Sequence, residues 1–221
     1  MFALISYPIG EKETVPYKIE PKPKLIPKAR ISKGDINNTS MLEMSVHGGT
    51  HIDVPFHTDP NGLTIDKMDI QDFIFESPLL IECRKSDFET ITREDLIPFC
   101  KDLEKADFLM IYSGFSEYRF TDSDRFINNS CGISKDGAEY LVNNFNLRGV
   151  MVDFLGVENI NEGLEKGFKA HEVFLARGKK FIVVEDGNFK HILNKEIKRV
   201  FIIPLMLVGA EASPVTAFVE I

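Results

Sequence analysis

Residues 46–60 read Val-His-Gly-Gly-Thr-His-Ile-Asp-Val-Pro-Phe-His-Thr-Asp-Pro, and this stretch decides how the rest of the chain is read. Of the 5 histidines in the chain, His47, His51 and His57 fall inside it, with Asp53 among them. Neutral imidazole nitrogen and carboxylate oxygen are donors that a divalent metal takes. The four-residue spacing of His47 and His51 would suit one helix face, but Gly48-Gly49 between them disfavours helix. A glycine turn followed by extended chain is expected instead. In extended chain alternate side chains share a face, so His51, Asp53 and His57 point one way while Ile52, Val54 and Phe56 point the other. His51 and Asp53 then lie roughly 6.6 Å apart at their backbones, close enough to share one ion. A straight strand would carry His57 roughly 20 Å beyond His51, so the chain must bend near Pro55 if His57 is to join them. A lone histidine is more often a hydrogen-bonded structural residue. Three of them with a carboxylate, above an apolar alternate face, read as half of a metal site. No cysteine lies near the cluster, which disfavours a purely structural zinc site.

The 221 residues suit one large domain or a compact pair, and 43% hydrophobic with 27% charged residues is an ordinary globular composition. A formal net charge of −8 argues against a nucleic-acid partner, whose phosphates call for basic patches. No run is long enough to span a membrane, and the amino terminus lacks the basic flank and apolar core of a signal peptide. Cys83, Cys100 and Cys131 form no Cys-x-x-Cys pair and read as reduced thiols of a cytoplasmic protein.

In chain order, Ala3 to Ser6 reads as a first strand. Residues 11–35, rich in proline and lysine, read as an irregular arm with extended pieces, a surface loop or a contact with a partner subunit. Residues 40–46 form a strand leading to His47, and Asp59 lies in an exposed turn. Ser77 to Cys83 is a strand with Pro78 at its start. Thr92 resembles the cap of a helix, with Pro98 implying either a kink or a later helix start. Asp107 to Tyr112 is a buried strand ending at Ser113-Gly114. Residues 115–132 read as a long loop, a candidate lid or pocket wall, in which Phe115, Tyr118 and Phe120 either contact an apolar substrate or pin the loop to the core. Ser134 caps a helix with Ala138, Leu141, Val142 and Phe145 on one face, and the Gly149–Asp153 strand follows. Lys169 to Leu175 reads as a helix ended by Gly178, and Phe181 to Val184 as a strand ending at Glu185. His191 is assigned to the surface. The chain closes with the strand Val200–Val208, a turn containing a structural Glu211, and the strand Pro214–Val219.

The run His47-Gly-Gly-Thr-His51-Ile-Asp53-Val-Pro-Phe-His57 resembles the signature of the metal-dependent cyclase family, to which bacterial kynurenine formamidases and isatin hydrolases belong. Later stretches resemble it too: the strand ending in Gly114, the Gly132–Ser134 segment, the Asp153 strand, and the Pro-Leu, glycine-turn and Ser-Pro close. The resemblance implies an α/β fold, a single layered domain with a mixed central sheet, a second antiparallel sheet and covering helices. It implies one or two divalent metal ions, zinc foremost and manganese as an alternative. His47, His51 and Asp53 would hold one ion, and Asp53 would bridge to a second held by His171 and Glu185. His57 would serve as catalytic base and acid. Asp186 is the rival for the late carboxylate, because the Gly178–Glu185 spacing is longer than the family pattern. The chain also departs from the family just after Asp153, with Phe154 and Gly156 where a small hydroxyl residue is usual. By resemblance the activity is arylformamidase-like, with a small-molecule substrate and a homodimer or homotetramer as the assembly. Hydrolysis of a cyclic amide or lactone, and a non-catalytic metal-binding role, are the alternatives.

Overall fold

The computed structural model describes residues 1–17, 20–176 and 180–221. Its centre is a nine-stranded mixed sheet. Four strands, Pro78–Glu82, Phe108–Tyr112, Gly149–Val152 and Ile182–Glu185, run parallel. The three-residue strand His51–Asp53 lies antiparallel between Ile182–Glu185 and Ala212–Glu220. Arg199–Pro204 and Ile74–Phe75 extend the sheet beyond Ala212–Glu220, which also pairs with Phe2–Leu4. A smaller antiparallel pair, Lys24–Ala29 with Thr39–Glu43, completes the mixed-sheet architecture expected from the sequence.

The two central parallel strands, Phe108–Tyr112 and Gly149–Val152, are buried and uncharged along their whole length because both faces of the sheet are covered. Leu109 and Ile111 join one core with Leu141 and Phe174, residues of the helices Lys135–Asn144 and Lys169–Leu175. Phe108, Met110 and Tyr112 join the other core with Phe75, Phe189 and Val200. Each such side chain contributes about 1.5–3 kcal/mol on burial. The alternation in the metal stretch follows from the same division: Ile52 and Val184 are buried in the second core, leaving His51, Asp53 and Glu185 on the opposite face.

Local signals set the element ends. The Thr92 backbone N–H donates to Asp95 at 2.8 Å, which starts the helix Arg93–Leu96. Pro98 then forces the 3₁₀ turn Ile97–Phe99 before helix resumes at Cys100–Leu103. The Ser134 hydroxyl accepts from Gly137 N–H at 3.2 Å at the next helix start.

Two expectations are corrected. The strand expected over residues 40–46 runs Thr39–Glu43 and stops short of His47, and it pairs with Lys24–Ala29, a regular strand among the extended pieces of the arm. Pro27 is tolerated because the pair stands at the protein surface and its ladder shifts register beside that residue. Residues 115–132 are not an open loop. They hold the 3₁₀ turn Phe115–Tyr118 and the helix Ser123–Asn128, with Phe115 and Phe126 in the core. Gly178, expected to end the Lys169–Leu175 helix, lies outside the described residues. Among those residues no helix is long and apolar enough to cross a membrane.

Candidate metal centre

Parallel strands gather side chains at their carboxyl ends, where ligands of α/β proteins commonly bind. Glu185 is the last residue of such a strand, and the antiparallel register sets it directly beside His51. His47 arrives from the turn before the His51 strand, where Gly49 adopts a left-handed φ of 73°. Pro55 starts the 3₁₀ turn Pro55–His57, which bends His57 back over the site. Its ring centroid stands 4.7 Å from that of His47 and 5.5 Å from that of His171. His171 is delivered from the opposite side by the helix Lys169–Leu175.

The six residues His47, His51, Asp53, His57, His171 and Glu185 are thus brought together from two distant halves of the chain. Asp53 sits at the middle. Its Oδ1 lies 3.0 Å from His47 Nδ1 and 3.6 Å from His51 Nε2, and its Oδ2 lies 3.6 Å from His171 Nε2. Glu185 faces the same imidazoles: Oε2 is 3.3 Å from His51 Nε2, and Oε1 is 3.1 Å from His171 Nε2. His51, Asp53, His171 and Glu185 are all buried. His51 Nε2 and both Asp53 oxygens nevertheless have no hydrogen-bond partner among the described residues. Buried polar atoms are rarely left so. Donor atoms of His51, Asp53 and Glu185 form one compact group, and those of His47, Asp53 and His57 form another, so both sets could hold a cation.

Asp186, the rival carboxylate, is excluded by its partner. The fully buried Arg119 grips it with Nε and Nη2, each at 2.6 Å, and Asp186 turns away from its neighbour with a φ of 58°. Glu211 was expected to be structural, yet its Oε1 reaches within 3.4 Å of His47 Nε2. His191 is exposed, as expected.

Two supporting residues escaped sequence reasoning. Glu158 accepts from His171 Nδ1 and from the backbone N–H of Ala170, fixing the ring so that Nε2 points inward. The Tyr17 hydroxyl lies 2.9 Å from Glu185 Oε2 and 2.9 Å from the Leu155 carbonyl, and Val157 N–H donates to Glu185 Oε1 at 2.7 Å. Tyr17 fits because residue 156 is glycine: a Cβ there would collide with its hydroxyl. The departure at Gly156 is therefore linked to a hydroxyl brought from the arm. Replacing Tyr17 with Phe is expected to weaken metal binding by about 10–100-fold with the fold intact, measured by competition against a chelator.

The charges explain one another. Burial drives the Asp53 and Glu185 carboxyls up, but the imidazoles outweigh it, holding Asp53 well below the ordinary range and Glu185 at about 2. Burial likewise pushes the His51 imidazole down, but Asp53 and Glu185 overcome this and set it at about 9. His171 is raised for the same reason. His57 differs. Although its side chain reaches solvent, the hydration it does lose, with His47 and His171 adding to it, outweighs the carboxylates and lowers its pKa below 6.5.

A pH window follows. The folded pKa of His51, about 9, exceeds its ordinary 6.5, so its stabilisation of metal-free protein is complete below pH 6.5 and lost as pH rises through 9. A bound cation would supply that charge at any pH in the window. The gap in melting temperature between metal-loaded and chelator-treated protein is expected to widen from pH 6.5 to 9.

A cavity of about 460 Å³ opens onto this centre. Its remaining walls are Ile160, Asn161, Leu164 and Phe168, with Tyr17, Glu20 and Thr58. Phe115, Tyr118 and Phe120 are not among its lining residues, which corrects the reading of 115–132 as a pocket wall. Phe115 fills the core, while Phe120 packs edge-on against Tyr7 at 5.6 Å. The wall comes instead from the short helix Ile160–Lys166, whose signal is weak: seven residues, with a glycine at 163.

The sequence profile of the Cyclase family matches residues 4–159. The chain belongs to the Cyclase family. A kynurenine formamidase from Bacillus thuringiensis subsp. konkukian is 27% identical over 183 residues, covering 83% of this chain and 80% of that protein. Plant cyclase-like proteins from Arabidopsis thaliana and Oryza sativa match 84–85% of this cyclase-family chain, which spans about two thirds of their length. Among solved structures, a "predicted metal-dependent hydrolase" from Bacillus stearothermophilus is 26% identical with a TM-score of 0.76, covering 99% of this chain and 97% of that one. An isatin hydrolase bound to thioisatinate superposes with a TM-score of 0.85 at 19% identity, covering 100% of this chain and 92% of that one. That last likeness is one of fold.

Proposed function

We propose that this protein is a metal-dependent hydrolase that cleaves a carbon–nitrogen bond of an amide, with an aryl formamide as the substrate type. The observation that carries this reading is Asp53, a buried carboxylate with both oxygens unpartnered among the described residues and imidazole nitrogens around it. His47, His51 and Asp53 would hold one divalent ion, and Asp53, His171 and Glu185 a second. Histidine with carboxylate suits zinc, and manganese as well. An ion held there supplies Lewis acidity, polarising a carbonyl and making water a stronger acid. The chain's own contribution is to position and to move protons. Glu158 and Tyr17 hold His171 and Glu185 in place. His57 faces the cavity with its ring nitrogens making no hydrogen bond among the described residues, and its lowered pKa keeps it neutral at pH 7. It takes a proton from the attacking water and returns it to the departing nitrogen. The apolar wall formed by Ile160, Leu164 and Phe168 suits an aryl or aliphatic body.

Kynurenine formamidase relatives support the formamide substrate, and the metal-dependent hydrolase of related fold supports the metal. Metal analysis of purified protein, combined with a screen of N-formyl aryl amines against cyclic amides and lactones, tests the reading. Turnover of the formamides that disappears with a chelator and returns with zinc or manganese is the expected result. Stoichiometric metal with no turnover of any of these would leave a purely structural metal protein. The surface hairpin of Lys24–Ala29 and Thr39–Glu43, a two-stranded pair of the kind that gains stability from a partner, is the proposed contact in a dimer or tetramer. Three free thiols fit a reducing, cytoplasmic setting.

A further inference from the structure

Besides the donor atoms of His51 and Asp53, three buried side-chain atoms lack a hydrogen-bond partner among the described residues: Glu20 Oε2, Thr58 Oγ1 and Asn128 Oδ1. Two of these belong to the cavity, because Glu20 and Thr58 both line it. Glu20 is held there deliberately. Its Oε1 accepts from the Ser45 hydroxyl at 2.7 Å, and its backbone N–H donates to the Tyr17 carbonyl at 3.0 Å. One oxygen is therefore anchored while the other is unpaired, and no lysine, arginine or histidine of the described residues forms an ion pair with it. An unpaired buried carboxylate oxygen is costly, so such an arrangement points to a group that arrives with the ligand. The rest of the cavity is divided between the metal centre and the apolar side chains Ile160, Leu164 and Phe168.

We propose that Glu20, assisted by the Thr58 hydroxyl, receives a primary ammonium group of the substrate while the substrate's hydrocarbon body lies against Ile160, Leu164 and Phe168. A cation is favoured over a neutral donor because charge-assisted hydrogen bonds are roughly twice as strong as neutral ones, and Glu20 has no ion-pair partner among the described residues. The proposal rests on the hydrolase reading for the reaction, but not for the binding. The substrate class is accordingly an amino-bearing aryl or alkyl amide, with amine and scissile amide held within one cavity.

Calorimetric titration of zinc-loaded protein with 2-phenylethylamine and with its neutral isostere 2-phenylethanol tests this without requiring turnover. The amine is expected to bind about ten-fold more tightly at pH 7. Glu20→Gln, which keeps the side-chain shape and the Ser45 contact, is expected to bring the two within about two-fold. Equal binding by the unsubstituted protein overturns the proposal. So does a preference that survives in Glu20→Gln, since other carboxylates would then be holding the amine. A preference that depends on Glu20, in a protein that hydrolyses no amide, would leave this recognition standing and remove the hydrolase reading alone.

Discussion

Asp53→Asn abolishes the proposed activity and lowers metal affinity by about 10²–10⁴-fold, the equivalent of removing one partner from a buried charge cluster. The change is isosteric, so the backbone pairing of His51–Asp53 with its two neighbours is kept. What is lost is the charge that His47, His51 and His171 all face. Bound metal per chain, read by atomic emission after gel filtration, checks the affinity, and formamide turnover checks the activity. Asp59→Asn in the neighbouring turn serves as the control, because Asp59 caps only its own loop by accepting from Asn61 N–H at 2.9 Å. Full metal content in Asp53→Asn would remove Asp53 from the centre.

The second large effect belongs to His57. His57→Ala is expected to lower kcat/KM by about 10²–10⁴-fold, the usual range for general acid–base catalysis, with metal content and melting temperature unchanged. Because the imidazole must be neutral to accept a proton, and its pKa lies below 6.5, kcat/KM of the unsubstituted protein should be level near pH 7 and fall on the acid side of 6.5. That acid limb disappears in the variant. Should metal content fall together with activity, His57 would instead be a ligand within the His47–Asp53–His57 group.

Much of this centre was legible because its chemistry is concentrated. The alternation through His51, Ile52 and Asp53 sorted ligand candidates from core residues, and Pro55 foretold the bend that returns His57. His171 and Glu185 came only through family resemblance, since no periodicity ties a helix at 169 to a strand ending at 185. Glu158 and Tyr17 were invisible for a different reason: each acts through one atom placed by tertiary packing, and neither lies in a patterned run. Residues 115–132 misled because their aromatic content resembles that of a binding loop. Their anchor is Arg119, whose side chain leaves the surface to pair with Asp186 and to stack 3.8 Å from the Tyr7 ring. The extended pieces of the arm were legible, but its many prolines hid that one of them is a paired strand, which only its cross-strand partner could reveal.

The brevity of the His51–Asp53 strand has a further consequence. Three residues make a minimal ladder, and the carboxyl–imidazole cluster at its end ties together segments about 130 positions apart. A cation there behaves as a removable cross-link. Chelated protein should therefore exchange the amide protons of Ile52 and Val184 with solvent well before those of Leu109 or Val150, whereas loaded protein should release all four together.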